Sequence, residues 1–372
     1  MKIVIAPDSF KGSLSASEAA DCIEKGIRRV LDCETVKIPM ADGGEGTVEA
    51  LAATLGGSLV TVTVKGPLFD DVEATYCIAG ELAVIEMSAA SGITLVSKDR
   101  LDPKATSTYG TGELILDAIG RGCKRIILGI GGSATNDGGA GMAAALGARF
   151  LDKNGTIVSP SGGELWRVET IDVSEMPVEI KKTEFLVACD VTNPLCGESG
   201  ASYVFGPQKG ADKETVKLLD ENLSHFASKI YECLGVDVRE ISGGGAAGGL
   251  GAGLYAFCGA SLRRGFDIIS ETVALSERIK GADLVITGEG RSDYQTAFGK
   301  LPSGVANAAR SQGIPCVLIS GAIKGDISAL FDNGIVAAYA TVTDGVPIDE
   351  AIKNAAKNLE RAAETAMREW CK

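Results

Sequence analysis

Apolar and polar positions along the chain fall into two styles. Short apolar runs at Ile3 to Ala6, Thr35 to Pro39, Leu284 to Thr287, Cys316 to Ser320 and Val336 to Val342 each end in a polar or glycine turn. The stretches between them carry helical spacing, so strand and helix alternate, which predicts a parallel sheet. From Ala16 the apolar residues fall at 16, 19, 20, 23, 27, 30 and 31, and Ser15 with Glu18 forms a capping box ahead of them. A last helix is predicted over Ile348 to Trp370. Ser58 to Met87 differs: Val60, Val62 and Val64, then Val72, Ala74 and Tyr76, alternate with polar residues around turns at Gly66-Pro67 and Gly80-Glu81. That is the pattern of an antiparallel meander. The ends of the chain share one style and the middle has another, so residues 1–63 and 275–372 are expected to form one discontinuous α/β domain. A second α/β domain, residues 64–274, is inserted in it, and the cleft between them is the default site.

The middle is organised around Ile126 to Arg149. A β-branched run gives way to Gly131-Gly132, then to Ser133, Thr135, Asn136 and Asp137, then to Gly138-Gly139 and an alanine-rich helix. Glycines let backbone approach a ligand closely, and a helix start offers unpaired N–H groups to an anion. The same residues also suit an ordinary turn. Further on, the run from Gly243 through Gly244, Gly245 and Gly248 to Gly253 reads either as a phosphate-cradling loop or as a helix packed very closely on a neighbour.

Composition narrows the chemistry. The 372 residues carry a net charge of −13, which argues against general affinity for nucleic acid or anionic membrane, so an anionic substrate must be captured locally. No run approaches the length of a membrane span, and the first apolar run is too short for a signal peptide, so a cytoplasmic location is expected. The ten cysteines include no C-x-x-C pair and read as reduced. His225 is the only histidine and lies within a predicted amphipathic helix, which leaves Asp, Glu or Lys to move protons and removes a Ser-His-Asp triad.

Loops at the carboxyl ends of parallel strands build the ligand crevice of such sheets. Lys11 and Ser9 follow the first strand, and Asp190 stands at the end of a buried strand, Phe185 to Cys189. All three are therefore candidate ligand contacts. The only Gly-Lys pair, Gly299-Lys300, lacks the rest of a Walker A loop, and no H-R-D catalytic loop is present. Gly129 to Ala134 matches G-x-G-x-x-A with Asp152 downstream, which keeps an NAD-dependent oxidoreductase for a small hydroxy acid as an alternative.

The segments APDSFKGSLSA, ADGGEGT, GIGGSATNDGG, CDVTNPLCG with GPQKGA, GGGAAGGLGAG and TGEGRSDYQT followed by GKLPSGVA resemble the signature segments of bacterial type I glycerate kinases, in family order. The resemblance implies a discontinuous Rossmann/flavodoxin-like domain with a mixed-sheet α/β domain inserted. It implies ATP-dependent phosphorylation of D-glycerate, more at the 2- than the 3-hydroxyl, with Mg²⁺ on the nucleotide phosphates, by a monomer or homodimer. Within that chemistry Asp190 is the first choice of base and Asp293 the second, while Lys11 and Arg291 suit the glycerate carboxylate or the γ-phosphate. Ser133, Asn136 and Asp137, with Ser9, would bind the substrate. Gly131, Gly132 and the Gly243, Gly244, Gly245 and Gly248 segment would lie against ATP, and Asp42 with Asp190 would hold Mg²⁺. A sugar-acid-binding protein without catalysis is the remaining alternative.

Overall fold

The computed structural model describes residues 1–297, 300–342 and 345–372. In chain order the strands are β1 (Lys2–Ile5), β2 (Glu34–Lys37), β3 (Ser58–Lys65), β4 (Asp71–Ala79), β5 (Leu82–Glu86), β6 (Arg125–Gly129), β7 (Arg149–Leu151), β8 (Thr170–Asp172), β9 (Glu184–Ala188), β10 (Ser261–Arg263), β11 (Leu284–Ser292), β12 (Cys316–Ile323) and β13 (Ile335–Ala340). They belong to two compact units. The first comprises Met1–Asp42, Glu49–Gly57 and Phe266–Lys372, and the second Gly43–Val48 and Ser58–Gly265. The whole of β3 lies in the second unit, and the segment from Phe266 lies in the first.

The first unit holds a parallel sheet in the order β13-β12-β11-β1-β2. Ile3 and Ile5 from β1, Ile286 from β11 and Ile319 from β12 form one core with Ile23, Ile27, Leu359 and Met367. The latter four come from two helices, Ala16–Arg28 and Ala355–Trp370. The capping box forms as the spacing predicts: Glu18 N–H donates to Ser15 Oγ at 3.2 Å and Ser15 N–H to Glu18 Oε2 at 2.9 Å. The two helices touch backbone to backbone at Gly26, where an added Cβ would stand 2.3 Å from the Glu360 carbonyl oxygen and 2.7 Å from Ala363 Cβ.

Two expectations change in this unit. Gly288 to Ser292, read as a loop, continues β11, because Arg291 and Ser292 pair in register with Ala322 and Ile323 of β12. Gly288 makes this possible, since a side chain there would meet the Ile319 carbonyl oxygen at 2.1 Å. The final helix is broken at Asn354 into Ile348–Lys353 and Ala355–Trp370. Asn354 Nδ2 donates to the Glu350 carbonyl at 3.1 Å, and the first piece buries none of its side chains, so packing does not hold it in line. The expected turn at Asp344 lies outside the described residues.

The second unit holds a mixed sheet, β10-β9-β6-β5-β4-β3. The meander is present: β3, β4 and β5 pair antiparallel, whereas β5, β6, β9 and β10 run parallel. A separate antiparallel pair, β7 with β8, completes it. Its core centres on Ile85, Leu128 and Val187 from the sheet and on Leu223, Phe226 and Leu250 from helices. His225 occupies a helix, Lys213–Leu234, with Nε2 at 2.7 Å from the Val168 carbonyl oxygen. It is a half-buried structural residue, in line with the sequence. Among the described residues no helix is long and apolar enough to cross a membrane.

The Gly26 contact sets a stability test. Gly26→Val should destabilise the first unit by about 1–3 kcal/mol, the usual cost of overpacking, read as a lower urea midpoint with an unchanged slope. An unchanged midpoint would mean that the helices separate without cost.

Candidate functional site

In the parallel sheet of the first unit, the chain moves from β1 to β2 on one side and places β11 on the other. The boundary between β1 and β11 is therefore the topological switch point, where open α/β sheets bind ligands beyond the strand carboxyl ends. Loops from all three strands bring acids and cations there. Asp8 follows β1, Asp42 follows β2, and Glu289, Arg291 and Asp293 come from the end of β11.

Asp8 is 9% exposed, and its Oδ1 accepts from Ser9 N–H at 2.7 Å. Burial pushes its carboxyl up to about 7, helped by the Asp42 and Glu289 carboxylates, while the Ser9 N–H and the Lys11 ammonium pull the other way. The loop is pinned by Phe10, which is buried against β11 and hydrogen-bonded to Leu14 at 2.8 Å. Lys11 is exposed, with its backbone close over Gly290. Ser9 Oγ is buried and has no hydrogen-bond partner among the described residues, as expected of a group aimed at a ligand. Glu289 is also buried and raised by burial, although Ser292 Oγ and Thr296 Oγ1 donate to Oε1 at 2.7 and 2.8 Å. Asp293 accepts from Gln295 N–H at 3.0 Å and lies 3.8 Å from Arg291 Nε and 3.9 Å from Lys300 Nζ.

The second unit carries its own polar constellation at the carboxyl end of β6. Gly131 and Gly132 are exposed, and Gly132, Gly138 and Gly139 take positive φ values of 72°, 62° and 76°, which only glycine adopts without strain. Asp137 is fully buried. Its Oδ2 accepts from Thr108 N–H at 2.7 Å, Thr108 Oγ1 at 2.8 Å and Gly141 N–H at 3.1 Å, and its Oδ1 from Gly139 N–H at 3.1 Å. Burial pushes this carboxyl up, and those donors pull it down. These hydrogen bonds tie Asp137 to the turn itself. Asn136 is likewise buried. Its Oδ1 accepts from Ser202 Oγ at 3.2 Å, while its Nδ2 has no partner among the described residues. Ser133, 7% exposed, accepts a 2.7 Å hydrogen bond from the ammonium of Lys209.

The second glycine run packs on this turn. Gly243 to Gly249 are buried, and Ala247, Gly248 and Gly249 are left-handed at the start of a helix, Ala246–Cys258. A Cβ on Gly248 would stand 1.9 Å from the Thr135 carbonyl oxygen, and one on Gly249 2.7 Å from Gly138 Cα. Of the two roles open in the sequence, close packing is the one the structure displays. Asp190 follows β9 as expected and is exposed, with Oδ1 accepting from Gly265 N–H at 3.0 Å.

Thus Ser9, Lys11, Asp42, Arg291 and Asp293 gather at the switch point of the first unit. Gly131, Gly132, Ser133, Asn136, Asp137 and Gly248 gather at the β6 turn of the second. Asp42 and Asp190, expected to share a metal, belong to different units. Sequence reasoning missed three residues. Asp8 stands beside Ser9 after β1, so the carboxyl-end rule covered it equally. Glu289 was hidden in a glycine stretch that reads as a loop, and Lys209 carries no local signal beyond its presence in GPQKGA. Among the described residues no group of three His, Cys, Asp or Glu side chains is placed to hold a metal unaided.

Comparison with known proteins agrees with this architecture. The model of the glycerate kinase family matches residues 3–371. A glycerate kinase of Halalkalibacterium halodurans is 51% identical over 97% of this chain and 96% of its own, and a glycerate 2-kinase of Escherichia coli K12 is 50% identical over 98% and 96%. A crystal structure described as glycerate kinase 2 from Salmonella typhimurium LT2 superposes with a TM-score of 0.93 at 47% identity, covering 100% of this chain and 98% of that one. With a family model spanning nearly every residue and relatives near half identity from end to end, this chain belongs to the glycerate kinase family.

Proposed function

We propose that the protein transfers the γ-phosphoryl group of ATP to a hydroxyl of D-glycerate, with 2-phosphoglycerate as product. The observation that carries this reading is the acid cluster at the β1/β11 switch point, joined to the family membership. In-line phosphoryl transfer needs positioned cations on the moving group, a carboxylate for the attacking hydroxyl and metal on the phosphates.

Mg²⁺ fits the acids of the first unit. Asp8 is held partly protonated by its own burial and by the neighbouring Asp42 charge, so a divalent cation between carboxylates and phosphates would relieve the penalty that keeps Asp8 near 7. A site with two protein carboxylates suits a metal that keeps waters and phosphate ligands. When bound, Mg²⁺ would spread the charge of the transferring phosphoryl group. Lys11 and Arg291 extend from the same loops as donors to phosphate or carboxylate, with the Arg291 fork suited to a bidentate contact. Asp293, with Arg291 and Lys300 about 4 Å away, orients those cations. Asp190 remains the proposed base, Ser133 a hydroxyl donor to glycerate, and the open Gly131-Gly132 backbone a place for phosphate oxygens.

Two tests follow from the carboxylates. Asp190→Asn should leave folding intact and lower kcat at least about a hundredfold, the scale of general-base loss. Near-normal turnover would remove Asp190 from the reaction. For Asp8, the folded carboxyl titrates near 7 against 3.8 when unfolded, so the native state keeps a proton that the unfolded chain releases. Stability should therefore fall as pH rises from about 4 to about 7, by about 1.4 kcal/mol for each pH step crossed, and then level off. Asp8→Asn should raise the Tm above the parent's at pH 8, with the gap closing by pH 4, while its Mg²⁺ requirement rises and its turnover falls. A variant less stable at both pH values would refute the burial penalty.

The metal assignment has a separate readout. At low Mg²⁺ the activity should rise with pH through about 7 as Asp8 ionises, and saturating Mg²⁺ should move that limb to lower pH. A limb insensitive to Mg²⁺ would place the cation elsewhere.

A further inference from the structure

Lys209 is a buried charged side chain in the second unit that the mechanism above leaves unused. It closes a short turn, Pro207–Lys209, and is 1% exposed. The next residue, Gly210, takes φ +97°, and a Cβ there would stand 2.5 Å from the Leu101 carbonyl oxygen, so only glycine fits the position that ends this turn. Its Nζ donates 2.7 Å hydrogen bonds to Ser133 Oγ and to the Thr135 carbonyl oxygen. Those acceptors are two residues apart on the β6 turn, so one ammonium clamps the turn. Burial pulls the ammonium down to about 7, and the Asp137 carboxylate opposes that pull. A tie between a hydroxyl and a carbonyl needs no charge, and burying a charge is costly.

The hydrogen-bond inventory suggests what the charge is for. An ammonium has only donors, so it occupies a lone pair of Ser133 Oγ and leaves the hydroxyl proton to point elsewhere. Ser133 retains surface access where Lys209 has almost none. We propose that Lys209 is a positioning residue that fixes Ser133 as an outward hydrogen-bond donor and sets a positive charge behind it, making this turn a receptor for the glycerate carboxylate. The proposal rests on the reading of Ser133 as a substrate contact.

Steady-state kinetics of Ser133→Ala, Lys209→Met, Lys209→Gln and the Ser133→Ala/Lys209→Met double variant, with thermal melts, separate the two ideas. KM does not depend on the fraction of folded enzyme, so a merely structural lysine would lower Tm and apparent kcat and leave the KM for D-glycerate alone. The expected result is a KM for D-glycerate raised about tenfold or more in Ser133→Ala and in Lys209→Met, with the KM for ATP unchanged. The double variant should be no worse than the poorer single one, because both remove the same interaction. Lys209→Gln, which keeps an N–H donor without the charge, should fall between parent and Lys209→Met. An unchanged KM in Ser133→Ala would overturn the substrate reading of Ser133. A raised KM in Ser133→Ala with an unchanged one in Lys209→Met, or multiplying effects in the double variant, would overturn the role of Lys209 alone. Failure of both lysine variants to fold would make Lys209 a residue of the fold and would also overturn it.

Discussion

A buried carboxylate with too little compensation is the constraint on which the first unit depends. Asp8 gains one backbone N–H and the charge of the Lys11 ammonium, and it faces two other acids. The sheet tolerates this because β1 is paired on both sides, by β11 and β2, and Ile3, Ile5 and Ile286 are fully buried. The strain is local and electrostatic, and a bound cation with phosphates is the natural way to remove it. Stability surrendered at that edge is the usual companion of a site that must bind charge.

The second unit manages a similar expense differently. Asp137 is buried more completely than Asp8, yet donors from Ser107, Thr108, Gly139 and Gly141 surround it. Burial still raises this carboxyl, but the donors oppose that shift and fix the backbone around it. The left-handed glycines at 138 and 139 shape the turn around that carboxylate, and those at 248 and 249 allow the adjoining helix to press on it. The Gly131-Gly132 pair stays exposed beside the nearly buried Ser133. One unit therefore holds an acid in want of a partner, and the other uses a satisfied acid to hold a hydroxyl and two glycines in place.

Much was legible in the residues alone. The β-branched runs, the capping box at Ser15 and the alternation over Ser58 to Met87 specified strands, a helix and a meander, since each follows from local spacing and the burial of one face. Family membership was legible too, because the glycine and carboxylate segments stand in order along the whole chain. Element ends were less so. β11 runs on through Gly288 to Ser292 because β12 lies beside it, and the terminal helix breaks at Asn354, where the preceding turn leaves Ile348 and Ile352 exposed.

Residue types and their order therefore determined the class, the family and the placing of the single histidine within a helix. Only the tertiary structure decided which acids are costly and which are satisfied. Asp8 and Asp137 look equally polar in the chain, but the Asp42 and Glu289 charges that face the first and the Thr108 donors that hold the second come from strands and loops far away in sequence. It likewise decided that the run from Gly243 serves packing and that Lys209 lies behind Ser133, because contacts across 76 residues leave no periodic trace in the sequence.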